Sequence, residues 1–161
     1  MVHTQSIGGN TKIYNPELSN IRALSIGANC TLHSHIWIGQ NVVIGNNVKI
    51  QSFAFIPDGV VIEDDVFIGP GVTFTNDKYP EVSKDRQQGE WKPMKTLVRQ
   101  GASIGARATI LPGITIGYKS KIGAGSVVIK DVPDNVVSCG NPARVKAGKS
   151  EYPILSYTIG V

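Results

Sequence analysis

Three residues spaced by eighteen carry the clearest chemistry in this chain: Gln40, Asp58 and Asn76. A carboxylate can hold a hydrogen-bond donor and accept its proton. The amides above and below it can orient a polar ligand through paired donors and acceptors. Directly after Asn76 begins a polar segment, residues 77–97, which carries Pro80, Trp91 and Pro93 and opens with Asp77, Lys78 and Tyr79. A loop of that length inside a compact domain is usually functional. A carboxylate, two amides and a loop mouth therefore meet at one place, provided the fold brings residues eighteen apart into register. The competing reading of such residues is a solvated corner, where Asn serves backbone geometry.

The other reactive side chains are less concentrated. His33 and His35 lie two apart on one turn, away from Asp58, and loop 77–97 contains no histidine. A zinc site needs three or four converging ligands; the spacing of His3, His33 and His35 does not supply them, so no metal is expected. Both His33 and His35 suit a structural or subunit-surface place, with His35 also a candidate substrate contact. Cys30 and Cys139 lack partners at zinc-finger spacing and fit a reducing compartment. Cys30 falls on an inward repeat position and is expected to fill core. Net charge is +4, with Arg99, Arg107, Lys119, Lys121, Lys130, Arg144, Lys146 and Lys149 in the last third. That basic run is either a solvated face or a site for a phosphorylated small molecule. No basic stripe interleaved with exposed aromatics points to nucleic acid.

The elements that position these residues follow from a period of six. Ile26, Leu32, Ile38, Ile44, Ile50, Ile56, Ile62 and Ile68 keep it, then Phe74, and again Val98, Ile104, Ile110, Ile116 and Ile122. Four residues after each of these except Phe74 sits a small or β-branched residue, and three after it mostly Gly or Asn, which tolerate positive φ at little cost. Period two would give a plain strand and period 3.6 a helix. Period six with a turn residue in each unit gives short strands that end in corners. Three sides close a coil of eighteen residues, and coils stack about 4.8 Å apart, as parallel strands do. The predicted repeats span about 26–74 and 98–128. An earlier, imperfect coil includes Ile7 and Ile13 and carries a one-residue insertion near Asn15, Pro16 and Glu17. Val98 lies 24 residues after Phe74, so the loop leaves and re-enters at corners without shifting the register.

This pattern resembles the hexapeptide-repeat family, the left-handed parallel β-helix. The resemblance implies an all-β triangular prism: one domain over residues 1–161, with a protruding loop at 77–97 and a C-terminal cap and tail at 130–161. The left hand comes from the resemblance, because period alone does not fix it. Gly140, Asn141, Pro142, Ala143 and Arg144 resemble the ending that caps the open coil edge in hexapeptide acyltransferases. The apolar residues of segment 149–161, among them Tyr152, Ile154 and Tyr157, suit packing on the prism or on a neighbour.

A narrower resemblance rests on three runs. They are Ile62-Glu63-Asp64-Asp65-Val66-Phe67-Ile68-Gly69-Pro70, Phe74-Thr75-Asn76-Asp77-Lys78-Tyr79-Pro80, and Lys95-Thr96-Leu97-Val98-Arg99-Gln100-Gly101. They look like acetyl-CoA-dependent N-acetyltransferases of nucleotide-linked amino sugars, which serve lipopolysaccharide or S-layer glycan synthesis. The resemblance implies that Asp58 and Asn76 lie near the reacting amine; Gln40, Asp77, Lys78 and Tyr79 are candidate substrate contacts beside them, as is His35, where the relatives commonly carry other residues. It also implies a pantetheine track along Gly105, Ala106, Gly123 and Ala124, with Lys130 and Arg144 meeting the CoA phosphates. Corner N–H groups are expected to stabilise the oxyanion. A homotrimer is implied, and Trp37, Phe53, Phe55 and Phe67 on outward positions suit subunit contacts. Glu81 stands where relatives often carry Arg, so the nucleotide (dTDP, UDP or GDP) stays open. The alternatives are an O-acetyltransferase of a sugar or serine, and a non-catalytic β-helix scaffold. No apolar run is long enough to span a membrane, and the N-terminus is too polar for a signal peptide. A cytoplasmic enzyme is the expectation.

Overall fold

The computed structural model describes residues 1–82 and 92–146. The middle of the long loop, with Trp91, and the segment 147–161 lie outside the described residues. The chain winds through strands β1 (Ser6–Ile7), β2 (Lys12–Ile13), β3 (Asn20–Ile21), β4 (Ser25–Ile26), β5 (Thr31–Leu32), β6 (Trp37–Ile38), β7 (Val43–Ile44), β8 (Lys49–Ile50), β9 (Phe55–Ile56) and β10 (Val60–Ile62). It continues through β11 (Phe67–Ile68), β12 (Thr73–Phe74), β13 (Thr96–Val98), β14 (Ser103–Ile104), β15 (Thr109–Ile110), β16 (Thr115–Ile116), β17 (Lys121–Ile122), β18 (Val127–Val128), β19 (Val137–Cys139) and β20 (Arg144–Val145).

Every third strand joins one sheet. Sheet one runs β1-β4-β7-β10-β13-β16, sheet two β2-β5-β8-β11-β14-β17-β19-β20, and sheet three β18-β15-β12-β9-β6-β3. All pairings are parallel except the last, β19 with β20. The register is the one the period demands: Ile26 pairs with Ile44, Ile44 with Ile62, and Leu32 with Ile50. This is the left-handed parallel β-helix expected from the sequence. Stacked isoleucines fill the prism, and Ile38, Ile50, Ile56, Ile68, Phe74, Ile104 and Ile110 are fully buried. Cys30 belongs to this core, and burial pushes its thiol pKa up.

The corner positions obey one rule more strictly than their residue types suggest. Asn29, His35, Asn41, Asn47, Phe53, Asp65, Arg107 and Lys119 have positive φ, as do Gly59, Gly71, Gly101, Gly113 and Gly125. Each stands three residues after an inward apolar residue. At most of them stacking sets the conformation, because the corner N–H bonds to the coil below, as Asp65 N does to Asn46 O at 2.9 Å.

Two boundaries differ from the sequence reading. The loop ends two residues early, since Thr96 already pairs with Val60 and Leu97 with Val61. The first coil is complete as well, because Ile7 pairs with Ile26, Ile13 with Leu32 and Ile21 with Ile38. Its irregularity is two changes rather than one. Eight residues separate Ile13 from Ile21, where a 3-10 turn at Pro16–Leu18 takes up the excess. Five separate Ile21 from Ile26, one fewer than elsewhere. The net shift of one hid both.

Candidate active site

The prism has three edges, each named here by one residue. The Asp58 edge joins sheet three to sheet one, the Asp64 edge sheet one to sheet two, and the His35 edge sheet two to sheet three. On the Asp58 edge, Gln40, Asp58 and Asn76 occupy equivalent places in successive coils. Gln40 is exposed; Asp58 and Asn76 are half-buried. The Asn76 side-chain amide donates to the Asp58 carbonyl at 3.3 Å. The structure therefore brings these three together as the spacing required.

The long loop departs from this point and returns to it. Asp77 accepts from the Tyr79 backbone N–H at 2.9 Å, which turns the chain outward and exposes Lys78 and Tyr79. The Lys78 ammonium lies 5.5 Å from the Tyr79 ring centroid. On return, Met94 N–H donates to Asn76 O at 3.1 Å and Thr96 N–H to Gly59 O at 3.0 Å. Thr96 Oγ1 in turn accepts from Gly113 N–H at 3.1 Å. Pro93 and Met94 thus fill the corner above Gly59. A methyl group on Gly59 would stand 3.1 Å from both Met94 O and Pro93 Cβ. Sequence reasoning missed Pro93, Met94 and Gly59 as parts of this place. The available signal was Gly59 itself, a glycine beside a predicted loop mouth.

Asp58 differs from the other carboxylates of the acidic middle segment. On the Asp64 edge, Asp64 accepts from Asn46 N–H at 2.7 Å, Asp65 from Asn47 and Gln100 side chains at 3.0 Å each, and Glu63 from Gln100 N–H at 2.8 Å. These two amide donors hold the Asp65 carboxyl below the usual range. That edge is a structural ladder. The Asp58 carboxylate folds over Gly39, where a side chain would collide with it. It accepts no hydrogen bond among the described residues. A half-buried carboxylate without a donor, beside an anchored amide, is free to take a ligand's N–H or O–H.

The histidines lie elsewhere. His35 stacks on Phe53 (5.1 Å between centroids) and His33 on Tyr14 (5.3 Å), both on the His35 edge. Within one chain, the structure does not bring His35 to Asp58; sheet three separates them. Gly105, Ala106, Gly123 and Ala124 share the His35 edge. There the glycines permit coil stacking: a methyl group on Gly105 would collide with Ala124 N, and one on Gly123 with Cys139 Cβ. Ala124 is exposed and Ala106 half-exposed.

Lys130 and Arg144 do converge. Together with Asp131 and Ser138 they line a cleft of about 210 Å³ at the C-terminal end. Arg144 is held there by the antiparallel pairing of β19 with β20 (Cys139 with Arg144). Lys130 and Arg144 thus place positive charge on one cleft. Arg99 instead pairs with Asp134, one guanidinium nitrogen (Nη1) donating to both carboxylate oxygens at 2.8 and 2.9 Å. Among the described residues, no group of three or more His, Cys, Asp or Glu side chains is placed to hold a metal ion, and no helix is long and apolar enough to cross a membrane.

Comparison with known proteins places the repeats. Residues 41–76 match the family model for bacterial transferase hexapeptide (six repeats). Residues 24–52 and 100–130 match the hexapeptide repeat of succinyl-transferase. A galactoside O-acetyltransferase of Lactococcus lactis subsp. lactis (strain IL1403) is 37% identical over 89 residues, 55% of this chain and 43% of that protein. A dTDP-3-amino-3,6-dideoxy-alpha-D-galactopyranose 3-N-acetyltransferase of Aneurinibacillus thermoaerophilus is 52% identical over 52 residues, 32% of this chain and 27% of that protein. The chain thus spans less than half the length of either relative. A mutant of AntD, an N-acyltransferase from Bacillus cereus solved with dTDP and coenzyme A, superposes with a TM-score of 0.71 at 23% identity, over 89% of this chain and 83% of that one. At that identity the likeness speaks to the fold.

Proposed function

We propose that this chain, which belongs to the hexapeptide-repeat family, is an acetyl-CoA-dependent N-acetyltransferase acting on the amine of a nucleotide-linked amino sugar. The observation that carries this reading is the Asp58 carboxylate, without a hydrogen-bond donor of its own and set beside Asn76 at the loop mouth. The similarity to an N-acetyltransferase of a dTDP-linked amino sugar supports it.

Asp58 holds the substrate amine through a hydrogen bond and takes its proton as the nitrogen becomes an amide. Asn76, fixed through the Asp58 carbonyl, orients the sugar with its remaining polar atom. Gln40, Asp77, Lys78 and Tyr79 surround the sugar on the same edge. Acetyl-CoA, when bound, supplies the acetyl thioester, whose C–S bond breaks as the C–N bond forms. Lys130 and Arg144 hold its phosphates, and Ala106 and Ala124 line its arm. Proximity supplies much of the rate.

The donor track and the acceptor site lie on different edges of one prism, a side of about 20 Å apart at six residues per side. A ring of three prisms brings the His35 edge of one beside the Asp58 edge of the next, so we assign a homotrimer. Trp37 stacks on Phe55 at 4.8 Å on the outer face of sheet three between those edges, and Phe53 is 66% exposed. These aromatics suit burial between subunits, and His35 then reaches a neighbour's site. The enzyme is assigned to the cytoplasm and to surface-polysaccharide synthesis.

An O-acetyltransferase is the second reading, favoured by the longer match to a galactoside O-acetyltransferase. Acetyl-CoA consumption with dTDP-, UDP- and GDP-linked amino sugars, against galactosides and serine, decides between them. Turnover of a nucleotide-linked amino sugar supports the first reading. Turnover of hydroxyl acceptors alone overturns it.

A further inference from the structure

The Asp58 edge carries a second feature below the column already described. The corner between Ile21 and Ile26 holds four residues, where the corners from Ile38 to Ile44, Ile56 to Ile62 and Ile110 to Ile116 hold five. The shortened corner recesses the edge at Arg22, Ala23 and Leu24, and Ala23 is drawn into the core. A cavity of about 750 Å³ lies there, within the usual range for small-molecule sites. It runs from His3 and Gln5 past Asn20 and Arg22 to Gln40 and Asn41. Gln40 is also the lowest member of the Asp58 column, so the cavity opens directly beneath the proposed reaction centre.

Its charge is one-sided. A guanidinium, an imidazole and several amides line it, and no carboxylate does among the described residues. Arg22 Nε donates to Asn20 Oδ1 at 3.2 Å, which fixes the side chain's direction. Its terminal nitrogens pair with no carboxylate among the described residues. An oriented guanidinium with free terminal N–H groups binds phosphate oxygens two at a time. Arg22 stands two coils below Asp58, roughly 10 Å at parallel-strand spacing. That is about the separation, in a nucleotide-linked hexose, between an amine on the far side of the ring and the diphosphate.

We infer that this notch is the nucleoside-diphosphate subsite, with Arg22 on the diphosphate and Gln40 bridging it to the sugar. The inference rests on the N-acetyltransferase reading above and assigns the half of the substrate that the reading leaves unplaced. The one-residue deletion at Ile21–Ile26 is then a binding device, separate from the two excess residues that the 3-10 turn at Pro16–Leu18 takes up on another edge.

Calorimetric titration of the full chain with dTDP, UDP, GDP and inorganic pyrophosphate tests it, with CoA as the control ligand. At least one nucleoside diphosphate binds the wild type, and Arg22→Ala weakens it tenfold or more with CoA affinity and Tm unchanged. Arg22→Lys recovers part of the loss. Pyrophosphate binds more weakly than the nucleotide and loses affinity in the same variant. Equal nucleotide affinity in Arg22→Ala, or no nucleoside diphosphate binding at millimolar concentration, overturns the subsite. The two readings fail separately. If a nucleotide-linked amino sugar is acetylated with the same KM by Arg22→Ala, the subsite falls and the enzyme reading stands. If Arg22-dependent nucleotide binding occurs without acetylation of any nucleotide-linked amino sugar, the subsite stands and the enzyme reading falls.

Discussion

The Asn76 side chain donates to the backbone carbonyl of Asp58, one coil below, at 3.3 Å. It leaves the carboxylate itself alone. That choice of acceptor separates a structural acid from an available one. Asp64, six residues further on, spends its oxygens on the N–H and side-chain amide of Asn46. Asp58 receives no such hydrogen bond from Gln40, its counterpart of Asn46, although a glycine underlies both carboxylates (Gly39 and Gly45).

Replacing the carboxylate without changing its shape isolates its chemistry. Asp58→Asn keeps the packing over Gly39 and removes the proton acceptor. Turnover should fall about a hundredfold or more, with KM moving far less, in steady-state kinetics with the best amino-sugar acceptor. A variant with wild-type kcat would remove Asp58 from the reaction.

Gly59 links the prism to the loop. Its φ of 92° is unfavourable for any side chain, and a Cβ there meets the backbone of the returning segment, Met94 O, at 3.1 Å. Gly59→Ala should cost about 1–3 kcal/mol and lower kcat by displacing Pro93 and Met94. Gly101→Ala is the control. It has a similar φ of 72°, but its nearest neighbour is the flexible Lys119 Cγ on the Asp64 edge. It should lower Tm in thermal melts and leave kcat unchanged. Equal effects of both on kcat would make Gly59 a stability position alone.

These two positions show what the letters carried and what they did not. The stacking of Gln40, Asp58 and Asn76 was legible because a strict period converts spacing into height. The inward residues were legible for the same reason. The functional difference between Asp58 and Asp64 was not, since Gln40 and Asn46, eighteen before each, both carry donors and only Asn46 uses them on the carboxylate above. Nor was positive φ at Phe53, nor at Arg107 and Lys119, where inter-coil hydrogen bonds override side-chain preference. Gly105 and Gly123 were legible as special, but the packing need was not: the coil above requires their missing side chains. The deletion at Ile21 was masked by a compensating insertion, which period counting sees only as a sum.

Acid should weaken the Asp64 edge in a defined window. Donors from Gln100 and Asn47 lower the Asp65 pKa from its ordinary 3.8. A group depressed in the folded state stabilises fully above its unfolded pKa and loses that contribution as pH falls through the lower folded value. Stability measured by urea melts should therefore decline below about pH 4. Gln100→Ala, which removes the principal donor, should flatten that decline. An unchanged pH slope would show that the pair contributes nothing net, as exposed pairs sometimes do.

The cleft at the C-terminal end makes a separable claim about the donor. Lys130 and Arg144 line it together, and Asp131 in the same wall is already engaged by Thr115 N–H at 2.7 Å. Its charge is thus partly satisfied, and the two cations face the cleft with positive excess. Arg144 presents a planar fork suited to two phosphate oxygens; Lys130 presents a point charge. Arg144→Ala should weaken CoA about tenfold and Lys130→Ala less. Both losses should shrink as salt is raised, because screening already weakens the contact in the wild type. Pantetheine, which lacks the nucleotide phosphates, separates charge recognition from packing: its affinity should be equal in wild type and Arg144→Ala. If pantetheine and CoA weaken together, Arg144 acts by closing the β19–β20 hairpin over sheet two rather than by holding phosphate.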